Sequence, residues 1–143
     1  MNKLFFAAIL FLLSQNCMAD GAGNLTIQVN GLLHDRGKVI ANLFREGDDV
    51  MKIETAYLRA QGKISDKHAQ LVFPNLKHGK YAVTVFHDEN DNGTLDHNLL
   101  RMPAEPLGFS NGFQLGLFSG LPSFNKLQFV FELGADTIAV TLK

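Results

Sequence analysis

The chain has 143 residues, the size of a single domain, and 46% of them are hydrophobic, as in globular proteins. Charged residues make up 19% and the formal net charge is −1, so the chain lacks the broad positive charge that neutralises phosphates. This balance gives no electrostatic support for nucleic-acid binding. We therefore expect one folded domain without a nucleic-acid partner.

Residues 1–19 have the pattern of a secretory signal peptide. Lys3 precedes an apolar run at residues 4–13, and cleavage is expected after Ala19. The apolar run would rise about 15 Å as a helix, half of the ~30 Å hydrocarbon thickness, so we expect no permanent membrane span. The alternative is a lipoprotein anchored through Cys17, although the residues before that cysteine are polar rather than small and apolar. The sequence predicts a periplasmic or secreted protein.

Residues 20–143 form the predicted mature domain, and apolar and polar side chains alternate along much of it. A period of two is typical of strands with one buried face. The clear segments are 25–29, 39–43, 69–73, 81–85, 127–131 and 138–142. A less regular seventh segment lies at 53–60, in a stretch that is also compatible with a short helix. Short strands without a long amphipathic helix predict an all-β fold, an immunoglobulin-like or prealbumin-like antiparallel β-sandwich of about seven strands.

Tyr81 lies just inside its predicted strand, at the position of the tyrosine corner in immunoglobulin-like sandwiches. A tyrosine with a buried ring and a solvated hydroxyl fits the same position. Both interpretations stay open at the level of the sequence.

A long interval separates the strand that ends near His87 from the strand that begins near Lys126. Intervals of this length are usually functional or disordered. The present interval contains four phenylalanines, and such aromatic content argues against disorder: Phe109, Phe113, Phe118 and Phe124. We predict an ordered excursion that packs on the sandwich and contains a short helix or an extra strand.

The excursion opens with the acidic segment 88–96, which reads DENDNGTLD. Oxygen-bearing side chains at positions 1, 3, 5 and 9, glycine at 6 and a main-chain carbonyl at 7 match the first nine positions of a calcium loop. Position 12 is Leu99 instead of a bidentate glutamate, so the helix–loop–helix form is excluded. The predicted Ca²⁺ ligands are Asp88, Asn90, Asn92, Thr94, Asp96 and, from further along the excursion, Glu105. A simply solvated Asn/Asp turn is the alternative.

Two histidines, His87 and His97, flank this segment and suggest a second interpretation. Imidazole favours zinc, copper or nickel, and a metal-dependent envelope hydrolase could hold its ion with Asp88, Asp96 and Glu105 while one histidine moves protons. Against this, strand alternation turns His87 to the face opposite Asp88, and neither histidine belongs to an HExxH motif. The remaining histidines lie in or beside polar turns and are interpreted as solvated: His34, His68 and His78.

Other catalytic features are few, since residues 20–143 contain no cysteine nucleophile and no glycine-rich phosphate loop. We therefore expect an exported, non-catalytic module that binds calcium through segment 88–96. The excursion would present a binding or assembly surface to a protein or to an envelope ligand.

Several linked motifs occur along the mature chain: Gly79-Lys80-Tyr81-Ala82-Val83, His87-Asp88-Glu89-Asn90-Asp91-Asn92-Gly93, Leu95-Asp96, Pro103, Glu105-Pro106 and Gly108-Phe109-Ser110-Asn111. With them the chain resembles the secreted bacterial proteins of domain-of-unknown-function family 2141, over nearly all of the mature domain. This resemblance implies export, a single domain and a sandwich fold. It implies no established activity.

Overall fold

The computed structural model describes residues 21–143, and the predicted signal segment 1–19 lies outside the described residues. The strands are β1 (Ala22–Asn30), β2 (Lys38–Arg45), β3 (Leu58–Lys63), β4 (Ala69–Lys77), β5 (Gly79–Asp88), β6 (Leu107–Phe109), β7 (Phe129–Phe131) and β8 (Thr137–Thr141). A 3₁₀ turn occupies Ile53–Thr55 and one helical turn, α1, occupies Phe124–Leu127. Within residues 21–143, no helix is both long and apolar enough to cross a bilayer.

Two sheets build the molecule. One has the order β4-β1-β8 and the other the order β3-β2-β5-β6, with β7 pairing beside β6 on the same strand, β5. This arrangement confirms the predicted all-β sandwich. One pair departs from the antiparallel pattern, because β1 and β8 run parallel over Thr26–Asn30 and Thr137–Thr141. β8 reaches β1 by crossing over from the other sheet instead of returning through a hairpin, and a crossover is the connection that parallel pairing requires.

The main core lies between the two sheets and follows the predicted alternation. Leu25, Ile27 and Val29 of β1 face Val83 and Val85 of β5, and all of these side chains are buried. Other strands also contribute to this core: Val39, Ala41, Leu43, Leu71, Phe73, Phe131 and Val140. Burial of these apolar side chains is the main favourable term that holds the sheets together.

A second apolar cluster covers the outer face of the larger sheet. Phe44 and Ala82 contribute from the sheet, while Val50, Phe109 and Leu127 contribute from the segments that cross over it. The predicted ordered excursion is thereby confirmed, and it contains both an extra strand, β6, and a short helix, α1. As a result β5 is buried on both faces over its last eight residues.

Two predicted strand boundaries shift. Segment 53–60 contains both a short helical turn and a strand, because the 3₁₀ turn comes first and β3 begins only at Leu58. The strand expected at 127–131 begins at Phe129, because Leu127 ends α1 and packs into the outer cluster. The buried Ser110 hydroxyl donates to the Leu127 carbonyl at 2.6 Å and fixes this turn against β6.

Tyr81 has the tyrosine-corner arrangement. Its hydroxyl donates to the carbonyl oxygen of Lys77 at 3.0 Å, across the turn that joins β4 and β5. Partial burial raises the pKa of Tyr81 above its ordinary value. The phenol therefore ties the β4–β5 corner to the core.

Tyr81→Phe should lower the free energy of unfolding by about 1 kcal/mol near neutral pH, because a net hydrogen bond is lost. Since the folded pKa is raised above 10.0, the unfolded chain loses the phenolic proton first as pH rises. The advantage of the wild type is therefore fully present below pH 10.0 and shrinks as pH rises through the folded pKa. Urea denaturation of the wild type and of the variant across this range measures it. A difference that does not change with pH would contradict this account.

Candidate functional site

Asp88, the last residue of β5, organises the acidic loop. Its carboxylate is fully buried, and Oδ1 accepts the main-chain N–H of Asn92 at 3.0 Å while Oδ2 accepts that of Gly93 at 2.7 Å. The backbone turns sharply at Asp91 and Gly93, which have φ angles of 62° and 81°. Glycine adopts such angles without a Cβ clash, which explains its place in the segment. The end of the strand thus folds residues 88–93 into a closed turn.

The carboxylate of Asp96 is the point on which the other side chains of the loop converge. Asn90 Nδ2 donates to Asp96 Oδ2 at 2.6 Å, and Asn92 Nδ2 lies 3.1 Å from both carboxylate oxygens. Asn92 Oδ1 accepts from the main-chain N–H and the hydroxyl of Thr94 at 2.8 and 2.9 Å. The structure therefore brings four of the predicted ligands into direct contact: Asn90, Asn92, Thr94 and Asp96.

Glu105 reaches the loop from the segment that leads into β6. Its nearly buried carboxylate accepts the main-chain N–H of Glu89 at 2.9 Å and that of Asp96 at 3.1 Å. One side chain thus bridges the two ends of the loop. Its contacts with these residues are to main-chain amides, so Glu105 sets the shape of the loop.

Two cations approach the loop from other strands. The Lys38 ammonium lies 2.5 Å from Asp91 Oδ1 and 3.6 Å from Asp88 Oδ2, and Arg59 donates to the Gly93 carbonyl. The hydrogen bond to Asp91 is the largest cause of a raised pKa at Lys38. Sequence reasoning missed both cations because residues 82–99 contain no lysine or arginine. Lys38 could be identified only from the register between β2 and β5, which pairs Lys38 with Asp88.

An apolar groove of about 610 Å³ lies beside the loop, between the excursion and β5. Leu95 and His97 belong to both the loop region and the groove wall. Apart from Thr84, the rest of the lining is mainly apolar, with one arginine: Val50, Met51, Ile53, Arg101, Met102, Pro103, Leu107, Phe109, Leu115, Gly116, Leu117, Leu121 and Pro122. Thr84 lies on the groove lining, is 1% exposed, and its hydroxyl has no hydrogen-bond partner. Asn42, its register partner on β2, is equally buried and its amide is also unpaired.

The two histidines beside the loop have different surroundings. His87 is buried and faces away from Asp88 as predicted, and its Nε2–H donates to the Arg36 carbonyl at 2.7 Å. His97 is exposed and borders the groove. The interpretation of His34 as a solvated turn residue was wrong, because its ring packs on that of His87 with centroids 4.8 Å apart. The β1–β2 connection brings these rings together, and no local pattern reveals it.

A family model described as an uncharacterized protein conserved in bacteria, DUF2141, matches residues 27–139. The chain belongs to this family. The matched region runs from β1 into β8 and contains the acidic loop, Glu105 and the groove lining of this DUF2141 protein. No curated protein and no solved structure gives a significant match to the chain.

Asp88→Ala should lower the free energy of unfolding of the DUF2141 protein by about 2 kcal/mol, because the main-chain N–H of Gly93 loses its charged acceptor and that of Asn92 keeps only a neutral one. The loss should persist in a chelator, since these contacts need no ion. Urea denaturation measures it. Asp136→Ala, at an exposed turn, serves as the control, and an effect no larger than that of the control would show that Asp88 does not organise the loop.

Proposed function

We propose that this protein is an exported, non-catalytic β-sandwich module that binds Ca²⁺ in segment 88–96 and an amphiphilic envelope ligand in the adjoining groove. Export is inferred from the signal-like segment 1–19. The observation that supports binding best is the groove itself, which is apolar, contains the unpaired Thr84 hydroxyl and shares Leu95 and His97 with the loop region.

The calcium part of the proposal is supported by the convergence of the Asn90 and Asn92 amides on the Asp96 carboxylate. Rotating both amides by half a turn exchanges nitrogen for oxygen in nearly the same volume. Both amide oxygens would then face an ion held against Asp96, at the cost of the two contacts between Asn92 and Thr94 and of the one between Asn90 Oδ1 and the Asn92 N–H. Each oxygen of the Asp88 carboxylate also keeps a lone pair that its hydrogen bonds do not use. Ca²⁺ takes six to eight oxygen ligands, and water would complete the shell.

Lys38 would compete with the ion. Its ammonium already offsets the repulsion among the acidic groups, and a divalent cation near Asp88 would meet this positive charge. Like charges in proximity weaken binding, so the lysine should moderate calcium affinity. Asp91 lies outside the predicted ligand set and can keep Lys38 paired when the ion binds.

The chemistry of the groove indicates the class of ligand. A volume of about 610 Å³ falls in the range of small-molecule sites, which are mostly apolar with a few fixed polar groups. The aliphatic and aromatic lining suits an apolar chain. Arg101 provides positive charge for an anionic head group, and Thr84 provides a hydrogen bond. A fatty-acid-like amphiphile satisfies all three features.

The hydrolase alternative has less support. It requires a histidine that can exchange protons at the loop ion, yet His87 is directed toward Arg36 and His34. His97 borders the groove. Among the hydrogen bonds of residues 21–143, none joins His97 to a carboxylate of the loop. We therefore favour binding over catalysis.

Calcium at a hundred times its dissociation constant should stabilise the protein by about 2.7 kcal/mol, and a chelator should reverse the effect. Asp96→Asn should abolish the calcium-dependent rise in melting temperature, because it removes the charge on which the loop converges. Asp136→Asn is the matched control and should keep it. Lys38→Met should bind calcium more tightly than the wild type. Thermal unfolding with and without calcium measures all four proteins, and an unchanged wild-type melting temperature would refute the calcium site.

Gly116→Phe should block the groove, because a Cβ at this glycine meets no atom within 4 Å and the ring has room to enter. We expect the binding of a fluorescent undecanoate to fall at least tenfold, a loss of ~1.4 kcal/mol. Gln70→Phe, exposed on β4, should bind as the wild type does. Arg101→Gln should weaken binding of dodecanoate but not of dodecanol. Equal binding by the blocked and unblocked proteins would place the ligand elsewhere.

A further inference from the structure

A cluster of nitrogen and oxygen donors lies at the other face of the β5 terminus. His34 Nε2 is 3.1 Å from Glu89 Oε1, and His87 Nδ1 is 3.9 Å from the same oxygen. One ligand atom from each side chain lies within 4.8 Å of the other two. Among the His, Cys, Asp and Glu side chains of residues 21–143, this is the one group of three or more with such proximity.

The hydrogen bond of His87 fixes which nitrogen is free. The Arg36 carbonyl can only accept, so His87 Nε2 carries the proton at their 2.7 Å contact. In the neutral imidazole the lone pair is then on Nδ1, which is buried and has no hydrogen-bond partner. A buried polar atom left unpaired is costly. Histidines that ligate metals commonly donate their second ring N–H to a backbone carbonyl in this way.

Two of the three distances between the ligand atoms are close to those around a small ion. Tetrahedral ligands about 2.0–2.1 Å from zinc lie about 3.3 Å from one another. The observed 3.1 and 3.9 Å lie on either side of this value, and the two imidazole nitrogens lie within 4.8 Å of each other. The side chains of His34 and Glu89 are 29% and 38% exposed, so both can adjust toward an ion. The buried His87 ring provides the fixed ligand.

We propose that His34, His87 and Glu89 bind a divalent transition-metal ion of the Zn²⁺ class. Two imidazoles and one carboxylate favour such an ion over calcium, which prefers oxygen ligands throughout. Three protein ligands leave a fourth position for water or for a donor from a partner. This site shares no ligand with the calcium proposal, because His34, His87 and Glu89 are all outside the predicted calcium set.

The experiment uses untagged protein produced from the full-length sequence, stripped of metal and titrated with Zn²⁺ by calorimetry. We expect one zinc ion per chain. His34→Ala and Glu89→Gln should each weaken zinc binding at least tenfold, while His68→Ala, an exposed histidine of a turn, and Asp96→Asn should not. Absence of stoichiometric zinc binding, or wild-type affinity in both ligand variants, would overturn the proposal.

Loss of the buried His87 could unfold the chain, so its role is tested without substitution. Nitrogen-15 NMR of the imidazole rings distinguishes the two ring nitrogens. Zinc should shift the Nδ1 resonance of His87 and leave Nε2 protonated. An unshifted Nδ1 would show that His87 does not bind the ion, and only the contact between His34 and Glu89 would remain.

Discussion

The buried carboxylate of Asp88 is the interaction on which the rest of the functional end depends. Removing a charged group from water is costly, and this one is compensated by two main-chain N–H groups of its own loop and by the ammonium of Lys38. The compensation requires that the loop close tightly after β5. Because the loop is closed, Glu105 can bridge its two ends. The path of the excursion over the sheet begins from this fixed point.

Strand alternation at this point separates two kinds of donor. Asp88 faces the oxygen-rich loop, whereas His87, one residue earlier, faces the connection between β1 and β2 and the ring of His34. Glu89 joins the two regions, because its main-chain N–H contacts Glu105 and its side chain contacts His34. A one-residue step along β5 therefore directs a carboxylate and an imidazole into different surroundings, and Glu89 links the two.

The excursion also explains the polar groups buried under the outer apolar layer. By covering the larger sheet it buries Asn42 and Thr84, whose side chains have no hydrogen-bond partners. Unpaired polar groups in an apolar layer contradict the pattern of the rest of the core, and such local conflicts occur mainly at functional sites. Thr84 borders the groove, so these unpaired groups lie directly beneath its wall.

The sequence by itself determined the sandwich, the ordered excursion and the composition of the acidic loop. Each of these follows from neighbouring residues, such as the alternation of Leu25, Ile27 and Val29. Only the tertiary structure decided that Lys38 neutralises the loop and that His34 lies on His87. These residues are some fifty positions from their partners in the sequence, and they meet because β2 pairs with β5, a strand that is not its neighbour along the chain.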